Sequence, residues 1–182
     1  MLYCNATLSY NFNMPPITIP SSIGSGQTTH NHETCRDKAV QTADRLCLER
    51  GVQLTSIRRK VLELIWASHR AVKAYDLLDQ MKPLQQSAKP ATVYRALDFL
   101  LEQGLIHRVE SLNAFIGCSC SERQHEQLLL ICVQCHEVEE RPGKMVMEAV
   151  SKELEQAGFT VHRKAIEIQG ICKSCGQFKA NK

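Results

Sequence analysis

No window of this chain is apolar over a length that could span a bilayer. The first thirty-odd residues also lack a basic segment followed by a clean apolar run, so they read poorly as a secretory signal and a cytoplasmic protein is expected. Charge of one sign is scarce as well. The net value of +3 over 182 residues is too small to mark a polyanion-binding protein by its sum. Aromatic residues make up only 5%, and there is no internal repeat apart from a duplicated Cys-x-x-Cys.

Cysteine, by contrast, is abundant. Nine cysteines are present, an odd number, and four of them form two Cys-x-x-Cys pairs, a pattern that in a reducing compartment favours metal over disulfides. The charge is also unevenly spread. Residues 36–109 hold 13 Lys and Arg against 8 Asp and Glu, whereas residues 110–182 hold 9 against 10. A basic first half fits a nucleic-acid-binding module followed by a near-neutral one, although a solvated basic face gives the same count.

Residues 1–35 are rich in Ser, Thr, Asn, Pro and Gly without sustained periodicity and read as a disordered extension. From Cys35, Ala39, Ala43, Leu46 and Cys47 recur at helical spacing until Gly51. Thr55 is the expected N-cap of a second helix, with Ile57, Val61, Leu64 and Ile65 inward and Arg58, Arg59 and Lys60 outward. A third, short helix is expected from Val72 to Met81. A fourth, "PATVYRALDFLLEQG", opens on Pro90 and closes on Gly104, with Val93, Leu97, Leu100 and Leu101 on one face and Tyr94, Arg95 and Asp98 on the other. "LIHRVESLNAFIGC" then reads as two strands around a Ser-Leu-Asn turn. Helices followed by a hairpin make a winged helix-turn-helix, placed at residues 36–118.

Beyond a hinge at 119–127, the pattern predicts a small α/β domain at 128–182, and the whole an α+β fold. Its expected elements are a strand from Leu128 to Cys132, another around Val138, a helix from Gly143 to Ala157, and a strand from Phe159 to about Ile168. In that helix Val146, Ala149, Val150 and Leu154 are read as inward, and Gly158 as the stop.

Cys132-Val-Gln-Cys135 and Cys172-Lys-Ser-Cys175 are separated by 36 residues. Two such knuckles facing each other supply the four thiolates of a structural zinc site. A redox dithiol also uses Cys-x-x-Cys, but it has no need of a second, distant copy. In a small domain with few aromatics, a closed zinc site would carry much of the folding free energy.

A second set of metal-capable side chains surrounds the hinge: His107, Cys118, His125, and Glu139 or Glu140. Residues 136, 138 and 140 share one face of a strand, and Val138 marks that face as inward, which favours Glu140. A thiolate, two imidazoles and a carboxylate suit zinc, whereas iron(II) sites more often use His and carboxylate alone. Cys120, His136 and His162 remain alternatives. Ligands drawn from both sides of a hinge bind one ion only in one domain orientation, so such a site signals as well as binds.

From about residue 36 to 176 the chain resembles the ferric uptake regulator superfamily and, within it, the bacterial zinc uptake regulators. The matching stretches are "GVQLTSIRRKVLELI", "AYDLLD", "KPATVYRALDFLLEQGLIHRVES" and the two Cys-x-x-Cys pairs. The resemblance implies a homodimeric, zinc-dependent repressor of palindromic operator DNA with no enzymatic activity and two zinc ions per protomer. By position it makes Cys132, Cys135, Cys172 and Cys175 the structural site, and His107, Cys118, His125 and Glu140 the sensing site. Ser56 stands where such proteins usually have proline, the linker "ERQHEQ" lacks the clustered histidines of iron and peroxide sensors, and the N-terminal extension has no counterpart.

In a helix-turn-helix the second helix enters the major groove with its first turns toward the bases. That nominates Thr92, Tyr94 and Arg95, with Tyr75 as a neighbour and Arg95 suited to guanine. Arg58, Arg59, Lys73 and Lys89 are the candidate phosphate contacts.

Overall fold

Helix stripes read from the sequence meet in space at the start of the chain. The computed structural model describes residues 32–67, 70–83, 89–119, 127–162 and 165–180. Helix α1 (His32–Glu49) buries Ala43, Leu46 and Cys47. In α2 (Ser56–Ile65) the Thr55 hydroxyl accepts from the Arg58 N–H, and Val61, Leu62 and Ile65 are buried. Helices α3 (Ala74–Met81) and α4 (Pro90–Glu102) complete the bundle, α4 beginning on proline, whose missing N–H costs nothing in a first turn. Leu62, Leu77, Leu97 and Leu100 form its centre.

The third helix starts two residues later than the sequence suggests. Val72 instead exchanges backbone hydrogen bonds with Phe115, at 2.8 Å each way, which ties the helix-turn-helix to the wing. That wing is the antiparallel pair β1 (Ile106–Val109) and β2 (Ala114–Gly117). A short turn at Glu110–Leu112 joins them, and Asn113 takes the left-handed conformation that closes it.

In the second half, β3 (Gln127–Cys132) pairs antiparallel with β4 (Val138–Arg141) and parallel with β5 (Ala165–Gly170), giving the order β4-β3-β5. Helix α5 (Lys144–Gln156) makes the crossover, and α6 (Lys173–Ala180) follows β5. Two expectations change here, and one further helix is found. Met147 is the fully buried residue of α5, with Val150 and Leu154 half-buried, while Val146 and Ala149 are exposed. At the helix start, Gly143 lies so close to β3 that a Cβ would come within 2.8 Å of the Leu128 side chain. The last strand begins at Ala165, not Phe159, because the Phe159 N–H donates to the Leu154 carbonyl and is committed to ending α5. Helix α6 had no periodic signal to announce it.

The halves are packed together. Val109 and Ile116 of the wing share an apolar cluster with Leu129, Ile131 and Val138 of the second sheet. Of the expected hinge, residues 120–126 lie outside the described residues, and Gln127 belongs to β3. Of the expected extension, residues 1–31 also lie outside them, and α1 begins at His32. No helix among the described residues is long and apolar enough to cross a membrane.

Candidate metal centres and nucleic-acid interface

Cys132 ends β3, Cys135 follows in a tight turn, and Cys172 and Cys175 flank the start of α6. The parallel β3-β5 pairing therefore brings the two knuckles side by side, with all four Sγ atoms within 4.8 Å of one another. The Cys135 and Cys172 sulfurs are 3.7 Å apart. A tetrahedral zinc with bonds of about 2.3 Å spaces its thiolates by about 3.8 Å, so the donor set fits the ion. The Cys172 N–H donates to the Cys132 sulfur at 3.3 Å.

Ionisation points the same way. Backbone N–H groups of Cys135 and Cys172 pull the Cys132 thiol down to about 6. Its neighbours, Cys172 foremost, push the Cys175 thiol up to about 12. Four crowded thiolates could share negative charge only with a counter-ion, which a divalent cation would supply.

The second centre is built across the packed halves. In β1 the alternation that exposes Arg108 buries His107, which is 3% exposed. In β4 the same alternation turns Val138 and Glu140 inward and leaves Glu139 outside, paired with Arg141. His107 Nε2 lies 2.8 Å from Glu140 Oε1. The other Glu140 oxygen accepts from the Ser119 N–H at 3.0 Å and from its hydroxyl at 2.6 Å. Burial alone would raise the Glu140 carboxyl; hydrogen bonds from His107 and Ser119 outweigh it and hold the group well below the usual carboxylate range.

Cys118 follows β2, its N–H bonded to the Leu105 carbonyl at 3.0 Å. A donor atom each from His107, Cys118 and Glu140 lie within 4.8 Å of one another. Beside Cys118, Gly117 lets the Trp66 ring pack against the wing, since a Cβ there would fall 2.1 Å from it.

His125 and Cys120 lie outside the described residues. His136 and His162 are exposed, and neither joins a cluster among the described residues. Two partners of the second centre escaped the sequence reading. Ser119 was hidden beside Cys118, and Gln127, buried against His107, showed only as a polar residue opening the apolar run "QLLLIC".

On the opposite end of the bundle, Tyr94, Arg95 and Asp98 are exposed along α4, Thr92 is half-buried, and Tyr75 at the start of α3 is 75% exposed. Lys73 and Lys89 sit exposed at the N-caps of α3 and α4. Arg58 and Arg59 are less open than their spacing suggests. Arg58 donates to the Gln53 carbonyl at 2.6 Å and lies 3.5 Å over the Phe99 ring, and Arg59 makes a two-pronged pair with Asp44 of α1. Arg59 thus ties α2 to α1, and Arg58 ties it to the preceding loop and to α4, so both cations help hold the bundle while staying partly open to solvent.

A winged helix-turn-helix joined through a shared His-Cys-Glu cluster to a sheet bearing four convergent cysteines matches one family. The ferric uptake regulator family model matches residues 49–169, and the chain belongs to that family. It is 37% identical over 149 residues to the zinc uptake regulation protein of Escherichia coli, covering 81% of this chain and 87% of that protein. The ferric uptake regulation protein of Legionella pneumophila is 29% identical over 128 residues, covering 69% of this chain and 92% of that protein. Among solved structures, a zinc uptake regulator complexed with zinc and DNA superposes with a TM-score of 0.76 at 37% identity, covering 80% of this chain and 97% of that one.

Proposed function

We propose that this protein is a cytoplasmic, zinc-responsive transcriptional repressor that binds palindromic operator DNA as a homodimer when zinc is bound, and so controls zinc uptake genes. The observation that carries the reading is the convergence of His107 and Cys118 from the wing with Glu140 from the second sheet. His125, from the linker between them, completes the proposed regulatory site. The thiolate of Cys118 favours zinc over iron in that set. Cys132, Cys135, Cys172 and Cys175 form the proposed structural site, making two zinc ions per protomer.

The zinc- and DNA-bound relative supports the partner assignment. Residues 36–118 act as the reading domain, 119–127 as the hinge and 128–182 as the dimerisation domain. Apolar side chains left exposed on the second half, Leu130 and Ile168 on its sheet and Met145 and Val146 on α5, suit burial against a second copy. Zinc at the shared site selects one orientation of the reading domains. To move that equilibrium from 1:99 to 99:1 it must favour the closed form by about 5.5 kcal/mol. Tyr75, Thr92, Tyr94 and Arg95 are proposed to face the bases. Lys73 and Lys89 face the phosphates, with Arg58 and Arg59 contributing whatever N–H groups their internal partners leave.

No catalytic step belongs to this reading. Titrating operator binding against buffered free zinc, iron(II) and manganese(II) tests it. Restoration by zinc alone is expected, and restoration by iron(II) alone would transfer the protein to the iron-responsive branch.

A further inference from the structure

Gln127 occupies the first position of β3, is 9% exposed, and places its amide nitrogen 2.8 Å from His107 Nδ1 in a buried contact. The other imidazole nitrogen, Nε2, faces Glu140. His107 is thus held at both ends, by residues from the paired strands β3 and β4. We propose that Gln127 is a positioning residue of the regulatory zinc site, which fixes the His107 ring so that Nε2 addresses the ion and which accommodates both proton arrangements of that ring. This rests on the reading of His107 as a regulatory ligand.

The chemistry follows from what a primary amide offers. With Nε2 protonated and bonded to Glu140, Nδ1 is an acceptor and the amide NH2 donates to it. An ion on Nε2 requires the proton on Nδ1, which then needs an acceptor. Rotation of the amide about its last torsion presents Oε1 in place of Nε2 at the same spot. A buried apolar side chain there would remove this acceptor from Nδ1–H in the loaded state, and losing a buried hydrogen-bond partner is costly. Groups that accept from a ligand histidine's second nitrogen typically change metal affinity by about 10- to 100-fold when removed.

Position in the chain adds a second role. Gln127 is the first residue of β3, so its bond to His107 ties the start of that strand to the wing. Through this bond, the reading domain and the sheet share a fixed point beside the metal ligands.

The test uses the full-length dimer with its structural zinc loaded, and measures zinc affinity of the regulatory site by competition with a fluorescent chelator. Cobalt(II) visible spectra serve as an independent readout of site geometry. Gln127→Met keeps length and bulk but removes the polar partner; affinity about 10- to 100-fold lower and an altered cobalt spectrum are expected, with structural zinc retained. Gln127→Glu supplies a permanent acceptor and is expected to stay within about threefold of the parent. Parent-like affinity in Gln127→Met, or a Gln127→Glu variant as weak as Gln127→Met, overturns the proposal. Should Gln127→Met lose its structural zinc, Gln127→Asn, one methylene too short, carries the same expectation and is overturned by parent-like affinity. His107→Ala separates the two levels. If it leaves zinc affinity unchanged the regulatory-site reading itself fails, whereas loss there beside parent-like Gln127→Met defeats this inference alone.

Discussion

The carboxylate of Glu167, on β5, caps the wing turn at Ser111, accepting its backbone N–H at 3.0 Å and that of Glu110 at 2.6 Å. A side chain of the second half thereby satisfies two orphan donors of the first. These bonds hold the Glu167 carboxyl below its ordinary value of 4.5, against the raising effect of burial. A carboxyl whose folded value is depressed stabilises the fold above the unfolded value and loses that contribution as pH falls through the folded one. Stability should therefore decline below about pH 4.5 more steeply in the parent than in Glu167→Gln. Urea melts at pH 7 should show Glu167→Ala less stable by about 1–3 kcal/mol. Equal melts for parent and variants at both pH values would remove the cap from the account.

Cys135→Ser takes one thiolate from the proposed structural site, whose zinc would supply folding free energy on the order of 10 kcal/mol. Loss of the structural zinc and of any cooperative transition from the second half is expected, read by metal analysis and calorimetry. A zinc-free variant that still melts cooperatively would contradict a structural role for the four cysteines.

Cys118→Ser should behave quite differently. The buried core that holds Leu62, Leu97 and Ile106 does not include Cys118, so the variant should fold and keep zinc at the proposed Cys132, Cys135, Cys172 and Cys175 site. One zinc per protomer, in place of two, and loss of operator binding are expected. Retained repression with both ions bound would exclude Cys118 as a ligand.

Arg95→Ala tests the reading helix. A guanidinium donating twice to a guanine edge is worth about 1–3 kcal/mol of discrimination, so preference for operator over random DNA should fall about tenfold at fixed salt. A uniform loss on both DNAs would demote Arg95 to a phosphate contact.

How much of this was legible depended on distance along the chain. The bundle could be read because its signals are local: Thr55 and Pro90 open helices, and a 3.6-residue period marks Val61, Ile65, Val93 and Leu97 as buried. Period-two alternation was enough to set Glu140, and not Glu139, on the inner face beside Val138. The duplicated Cys-x-x-Cys announced itself, although what brings the pairs together is the parallel β3-β5 register. Contacts made by tertiary packing left no such trace. The Arg59–Asp44 pair joins residues 15 apart, and the bond from Gln127 to His107 joins residues 20 apart. The burial of Met147 in α5 and the close approach of Gly143 to Leu128 are tertiary contacts that no helical wheel contains.

The central claim is that an ion shared by His107, Cys118, His125 and Glu140 sets the orientation of two reading heads. Operator affinity of the intact dimer, measured with the four-cysteine site loaded while free zinc is buffered low and then high, tests it most directly. At least a hundredfold tighter binding at high free zinc is expected, since 5.5 kcal/mol of preference corresponds to about 10⁴. A folded dimer stripped of its regulatory zinc that still held operator DNA as firmly as the loaded one would contradict the account.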